Sequence, residues 1–234
     1  MFKKRSYQLE RIDTGDYTTE EYQRFLHDIR LVNRFAGDTW ALQKTLLREI
    51  ENKDLQEFSV LDVGAGSGEL LREITKFARK TKRKGKFYGL ELNEISANSI
   101  VAESKDFSEI NAIRGNALQL PFADKTFDYT ICSLFTHHFT DQNVVEILSE
   151  FSRVSRLGIF VIDLHRHPIA YALYKVFCIT FRISRLVRED GSLSILRGFK
   201  PSELNDLAEK ASLKNASAER HFPFRLVLSA HETR

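Results

Sequence analysis

The chain has 234 residues and a mass of 27.1 kDa, enough for one substantial domain. Hydrophobic residues make up 42% and charged residues 29%, a balance that excludes an intrinsically disordered chain. With 35 Lys plus Arg against 32 Asp plus Glu the formal net charge is only +3, too small an excess to point to nucleic acid as a partner.

Residues 1–7 carry cations with no apolar run behind them, so no secretory leader is expected. Residues 18–35 and 38–51 read as helices, the second capped by Asp38 and carrying Leu42, Leu46, Leu47 and Ile50 at helical spacing. From Phe58 the period changes. A strand at 59–63 leads to a helix at 68–80, a strand at 86–91 and a helix at 93–105. Strands at 110–114 and 127–133, a helix at 141–154 and a strand at 158–163 follow. Strands separated by helices imply βαβ units and a mostly parallel sheet covered on both faces. A basic, aromatic insertion occupies 165–199. A helix then starts at Pro201, where the missing N–H costs little. Strand-like runs at 215–220 and 225–231 close the pattern as an antiparallel hairpin. The most apolar stretch, 168–181, stops at Arg182, short of the roughly 20 residues a spanning helix needs. Cys132 and Cys178 lie in apolar runs and read as buried, reduced thiols of a cytoplasmic protein.

The strongest local signal is Val60-Leu61-Asp62-Val63-Gly64-Ala65-Gly66-Ser67-Gly68-Glu69, an apolar strand running through three alternate glycines into a helix. Glycines there allow a sharp turn and let backbone N–H groups approach a ligand at a helix N-terminus. A P-loop needs Lys-Ser/Thr after the last glycine, and Glu69-Leu70 stands there instead. The nicotinamide fingerprint G-x-G-x-x-G is not matched either, and Glu69 is poorly placed against a pyrophosphate. The second strand ends at Glu91, an acid positioned to accept both hydroxyls of a ribose; a surface carboxylate is the plainer alternative. Next come Arg114-Gly115-Asn116-Ala117-Leu118-Gln119-Leu120-Pro121-Phe122 and then Phe127-Asp128-Tyr129-Thr130-Ile131-Cys132-Ser133-Leu134-Phe135-Thr136-His137-His138.

In this order, these segments resemble the class I S-adenosylmethionine-dependent methyltransferases. The branch they look most like holds the ubiquinone/menaquinone (methyltransferase type 11) enzymes. The resemblance implies an α/β, Rossmann-like fold: a seven-stranded, mostly parallel sheet with an antiparallel C-terminal hairpin, N-terminal covering helices and a cap after strand 5. Residues 1–56 would be the covering helices and 57–234 the catalytic domain, with the cap at 165–199. Gly64, Ala65, Gly66 and Gly68 would receive the methionine end of S-adenosylmethionine, and Asp62 would orient the loop or the cofactor's amino group. Glu91 would hold the ribose, Asn116 the adenine amine with Ala117 beside it, and Leu92 would pack on the ring. Ser133 and Leu134 would line the methyl-donor side. The family usually has Asp where Asn116 stands, a loss of charge assistance of about 1 kcal/mol.

Methyl transfer from a sulfonium is an in-line displacement in which the protein positions the nucleophile and excludes water. His137, His138 and His167 are candidate bases, with helix capping or packing as the alternative. Tyr22, Asn33, His138, Arg166, Tyr171, Tyr174 and Arg197 are candidate acceptor-binding residues, with core packing or a polar rim as the alternative. No Cys or His has zinc-ligand spacing, so no metal is expected. The expected acceptor is a small hydrophobic molecule, aromatic or polyketide-like, with oxygen favoured over carbon and S-adenosylhomocysteine as the product. Carbon methylation of a lipid quinone at a membrane surface is one alternative, through the cationic, aromatic face of the insertion. A non-catalytic cofactor-binding scaffold is another. No nucleic acid, peripheral membrane contact at most, and a monomer or homodimer complete the expectation.

Overall fold

Alternation of apolar side chains along each strand decides how the sheet is covered. Leu61 and Val63 face one core and Val60 the other; likewise Ile159 and Val161 oppose Phe160 and Ile162, and Leu226 and Leu228 oppose Val227. Both faces are therefore apolar, and each is covered by helices. The computed structural model describes residues 2–231, leaving aside the side chains at 22, 23, 26, 30, 33, 34 and 36.

The strands are β1 (Glu57–Val63), β2 (Lys84–Glu91), β3 (Ile110–Arg114), β4 (Phe127–Ser133), β5 (Ser155–Leu164), β6 (Ser217–His221) and β7 (Arg225–His231). Their order in the single sheet is β3-β2-β1-β4-β5-β7-β6. β7 alone runs antiparallel, paired with β5 on one side and β6 on the other. The late hairpin thus enters the sheet through its second strand. The chain reverses direction across the sheet between β1 and β4, the place where open α/β sheets bind ligands.

One face is covered by α7 (Asp141–Val154) and α10 (Pro201–Lys210), which bury Ile147, Leu148, Phe151, Leu204 and Leu207. The other takes α5 (Glu69–Lys80) and the continuous run from α3 (Asp38–Leu42) through a π-helical turn (Gln43–Leu47) to α4 (Arg48–Asn52). That run was expected as an uninterrupted α-helix. The π turn keeps Leu42, Leu46, Leu47 and Ile50 all buried, and the Thr45 hydroxyl donates back to the Ala41 carbonyl at 2.7 Å. Asp38 does not cap it: Gly37 is the N-cap, and the Asp38 carboxylate accepts from Arg225 at 2.7 and 3.0 Å instead.

Above the carboxyl ends of the strands, the helices α2 (Thr19–Ala36), α8 (Pro168–Thr180) and α9 (Arg185–Arg197) form a separate apolar cluster. There Phe25, Ile29, Val32, Tyr174 and Phe177 pack with Cys178, Ile183 and Val187. α2 opens with a complete capping box between Thr18 and Glu21. α6 (Glu94–Glu103) starts from Asn93, whose side chain accepts from Ile95 N–H. Both cysteines are buried and free. Among the described residues no helix is long and apolar enough to cross a membrane.

Candidate active site

The glycine loop joins β1 to α5 with Gly64, Gly66 and Gly68 all at positive φ, a conformation that other residues adopt only with strain. It is tied to β2 twice: Gly64 N–H donates to Leu90 O at 2.9 Å and Gly66 N–H to Glu91 Oε1 at 2.6 Å. Glu91 pairs in register with Arg114 of β3, and its carbonyl accepts from Gly115 N–H at 3.0 Å. The loop, the β2 tip and the turn leading to Asn116 are thereby brought to one place. Leu92 stands exposed beside them, Ala117 is buried, and Asn116 Oδ1 accepts from Leu118 N–H at 3.0 Å within its own turn.

Asp62 lies beneath this loop, 2% exposed, and its Oδ1 has no hydrogen-bond partner among the described residues. Burial first, and the charge of Glu91 second, push its carboxyl up to about 8. A buried acceptor left unpartnered fits a ligand that brings a cationic donor, as a methionine amino group does. A Cβ added at Gly66 would meet nothing within 4 Å, so the loop presents an open backbone cradle. At Gly64 the same atom would strike the Phe135 ring at 2.3 Å.

A cavity of about 540 Å³ begins at this loop. Asp62, Gly64, Ala65, Gly66, Ser133 and Leu134 line one end. Leu134 itself holds a left-handed φ of 51°, a conformation costing about 1–2 kcal/mol for a side chain of this kind. Phe25, Ile29, Val32, Phe35, Phe177 and Ile195 supply an apolar wall at the other end. Polar side chains line the cavity as well, among them Glu10, His137, His138, Asp190, His165, Asp38 and Arg225. Ser133 Oγ donates to Asp38 Oδ1 at 3.1 Å, so the Asp38–Arg225 pair also fixes the end of β4.

His137 and His138 sit on a 3-10 turn (Thr136–His138) directly after β4. His137 is 3% exposed and its Nδ1 lies 2.6 Å from Asp163 Oδ1. Asp163 also accepts from Thr136 Oγ1 at 2.6 Å and from His137 N–H at 3.0 Å. Burial opposes the Asp163 charge, but the His137 charge and these hydrogen bonds outweigh it and hold the carboxyl well below its ordinary range. For His137 burial wins over Asp163, and the imidazole is pulled below its usual value. His138 behaves oppositely. Burial opposes its charge too, yet its hydrogen bond to Asp13 and the charges of Glu10 and Asp13 raise it. Its Nδ1 is 3.1 Å from Asp13, and the two imidazole rings lie 4.3 Å apart. Glu10 is buried opposite them, accepts from Ser194 Oγ at 2.8 Å and is pushed up to about 7, chiefly by burial.

The remaining sequence candidates separate. Tyr174 lines the cavity, its hydroxyl donating to Val187 O at 2.6 Å. Tyr171 lies outside it, edge-on to Phe2 and beneath Lys175. His167 is also outside: its Nδ1 caps α8 by accepting from Ile169 N–H at 3.2 Å. Arg166 was expected to meet an acceptor, but its guanidinium is buried away from the cavity and bound to Phe2 O, Gly198 O and Glu203. Arg197, expected in the same role, is spent on the carbonyls of Gln8, His137 and His138 and on Asp13. Tyr22 and Asn33 lie outside the described residues. Glu10, Asp13, Asp163 and Arg225 were not singled out from the sequence, Asp38 was read only as a helix cap, and His165 only as part of the segment after β5. Only Asp163 had a local signal there, as the acid closing the apolar run of β5.

Comparison with known proteins agrees with this geometry. Residues 60–158 match the family described as a methyltransferase domain. That segment, less than half of the chain, is thus similar to a methyltransferase domain. A demethylmenaquinone methyltransferase of Bacillus licheniformis is 28% identical over 125 residues, 53% of this chain and 52% of that protein. A ubiquinone/menaquinone biosynthesis C-methyltransferase of Rickettsia prowazekii is 36% identical over 113 residues, 44% of this chain and 42% of that one. The chain thus spans about half the length of these two relatives. Among solved structures, the magnesium protoporphyrin IX methyltransferase of Synechocystis, with S-adenosylhomocysteine bound, superposes with a TM-score of 0.65. It is 13% identical, with 95% of this chain and 99% of that one covered. An S-adenosylmethionine-dependent methyltransferase of Aquifex aeolicus gives 0.59 at 18% identity, covering 81% and 89%. At such identities the likeness is one of fold.

Proposed function

We propose that the protein transfers a methyl group from S-adenosylmethionine to an oxygen of a small, hydrophobic acceptor. The observation that carries this reading is the two-ended cavity. One end has the glycine cradle and the unpartnered Asp62 oxygen, and the other an apolar wall with polar groups gathered at His137, His138 and Glu10. Pockets for such acceptors are mostly apolar with a few convergent polar groups. Asp62 would take the amino end of the cofactor, Gly64 to Gly66 the methionine backbone, Glu91 the ribose, and Leu92, Asn116 and Ala117 the adenine. When bound, the cofactor supplies an electrophilic methyl on a sulfonium. The chain's own part is to orient the acceptor oxygen, exclude water and take its proton. His137 is suited to that last role, since Asp163 holds the proton on Nδ1 and leaves Nε2 as the acceptor. Calorimetry with S-adenosylmethionine and S-adenosylhomocysteine tests the first half of this reading, and no binding heat with either would end it. Incubation with phenolic acceptors, followed by mass spectrometry for a gain of one methyl, tests the second half.

A second reading, carbon methylation of a lipid quinone at a membrane surface, is supported by the outer face of α8. Ile169, Leu173, Val176, Ile179 and Phe181 are exposed along it, and Leu173 and Phe35 also line the cavity. The cavity mouth therefore opens within an apolar patch, flanked by the exposed Arg182, Arg185 and Arg188. This reading requires binding to anionic liposomes that weakens with salt and is lost when the three arginines are neutralised. Equal partition of the triple variant and the parent chain would remove it.

A further inference from the structure

We propose that Glu10, His137 and His138 form a binding site for a divalent transition-metal cation in the wall of the cavity. One ligand atom from each of the three lies within 4.8 Å of the others. His137 Nε2 is 4.0 Å from Glu10 Oε1, too far for a hydrogen bond. Ligands closing on a cation at roughly 2.0–2.2 Å would stand about 3.3 Å apart, so a small side-chain movement completes the arrangement.

The surroundings are those of a prepared ligand set. Asp163 holds His137 through Nδ1 at 2.6 Å, and Asp13 holds His138 through Nδ1 at 3.1 Å. A carboxylate on Nδ1 keeps the proton there and leaves Nε2 with its lone pair, the pairing that orients metal-bound histidines. Glu10 is oriented in the same way by the Ser194 hydroxyl at 2.8 Å. The charges also favour a cation. Glu10, Asp13 and Asp163 contribute three carboxylates, met by the one guanidinium of Arg197, while Arg5 is engaged by Asp141. Glu10 and His137 are each only 3% exposed. All three ligands line the cavity, so the remaining coordination positions face it. Three protein ligands with an open position is the pattern of metal sites that bind a reactant, and two imidazoles with one carboxylate suit Zn²⁺, Fe²⁺ or Co²⁺ rather than Mg²⁺ or Ca²⁺. Sequence spacing did not reveal the set because Glu10 arrives from the N-terminal segment.

On the proposed methyl-transfer reading, a cation on His137 Nε2 would take the place of that nitrogen as base: the open position would hold the acceptor oxygen in its deprotonated form, its proton passing to solvent. Metal binding is tested without it. The full chain, stripped with chelator, is titrated with Co²⁺ while visible absorption is followed, and with Zn²⁺ by calorimetry. The expected result is saturation at one equivalent, with affinity at least tenfold weaker in both Glu10→Gln and His138→Ala. Retained binding of S-adenosylhomocysteine and unchanged circular dichroism show that the variants are folded. Failure to saturate at one equivalent, or equal affinity in parent and variants, overturns the site. Saturable binding without methyl transfer leaves the metal site standing and sinks only the activity.

Discussion

The backbone N–H of Gly66 donates to the side-chain carboxylate of Glu91 at 2.6 Å, so the apex of the glycine loop and the tip of β2 are one hydrogen-bonded unit. Glu91 sets the loop's position and, on the proposed reading, also offers an acceptor to a ribose. Charge-assisted hydrogen bonds are worth about 1.5–3 kcal/mol, so Glu91→Gln is expected to weaken S-adenosylhomocysteine binding roughly tenfold to a hundredfold. Calorimetry on the parent and the variant measures this directly.

Gly64 and Gly66 share a left-handed backbone but differ in what surrounds them. Alanine at either position incurs about 1–2 kcal/mol of backbone strain. At Gly64 the new methyl also strikes Phe135, adding about 1–3 kcal/mol of overpacking, while at Gly66 it points into open space. Gly64→Ala should therefore lower the melting temperature more than Gly66→Ala. Gly66→Ala should lose cofactor affinity out of proportion to its stability. Equal melting temperatures for the two variants would contradict the placement of Phe135.

Burial and the Glu91 charge hold the Asp62 carboxyl at about 8 in the folded chain, against an ordinary aspartate value of about 3.9. Folding therefore takes up a proton here across that window. The contribution of Asp62 to stability is fully present below the lower value and is lost as pH rises through about 8. Asp62→Asn should flatten the decline in thermal stability between pH 6 and pH 9. A cationic amino group bound at Oδ1 favours the carboxylate, so S-adenosylhomocysteine binding near neutral pH should release a proton and tighten as pH rises. Calorimetry in two buffers of different ionisation heat reads that proton, and its absence would show that the amino group is held elsewhere.

Asp163 accepts from the Thr136 hydroxyl, from two nitrogens of His137 and from the Leu164 N–H. Asparagine would turn an NH₂ toward some of these donors. Asp163→Asn is expected to lose about 2–4 kcal/mol of stability in urea unfolding.

Arg166 offers a contrast between two roles. Its buried guanidinium closes the end of β5 onto Gly198 and Glu203. Arg166→Met should lower the unfolding midpoint while leaving the KM for any acceptor within about twofold, because the side chain does not reach the cavity. A large KM change with unchanged stability would restore the role its position after β5 first suggested.

The sheet and the glycine-loop end of the cavity were legible because their signals are local. β4 and α7 fall on the residues expected, since Phe127 to Ser133 is a short, mostly buried run and Thr140 caps Asp141 to Val154. The glycine loop, Glu91 and Asn116 each close a strand, so the strand order alone carries them together. The far end of the cavity was not legible, because its charges are brought in from distant segments. Glu10 and Asp13 come from the N-terminal segment, Asp38 from the start of α3, and Arg225 from the start of β7. Arg166 and Arg197 looked like acceptor ligands because a sequence shows where a cation stands in the chain, not which carbonyls will surround it.

Arg5 clasps the carbonyls of His137 and Phe139, and Arg197 clasps those of His137 and His138. The corner carrying both imidazoles is thus stitched down by the opening residues of the chain and the far end of the insertion. Shortening the chain before Asp13 would remove Arg5 and Glu10 from that corner and leave the ties of the glycine loop to β2 in place. The seating of both imidazoles therefore depends on the first dozen or so residues, a segment that the matched domain at 60–158 does not include.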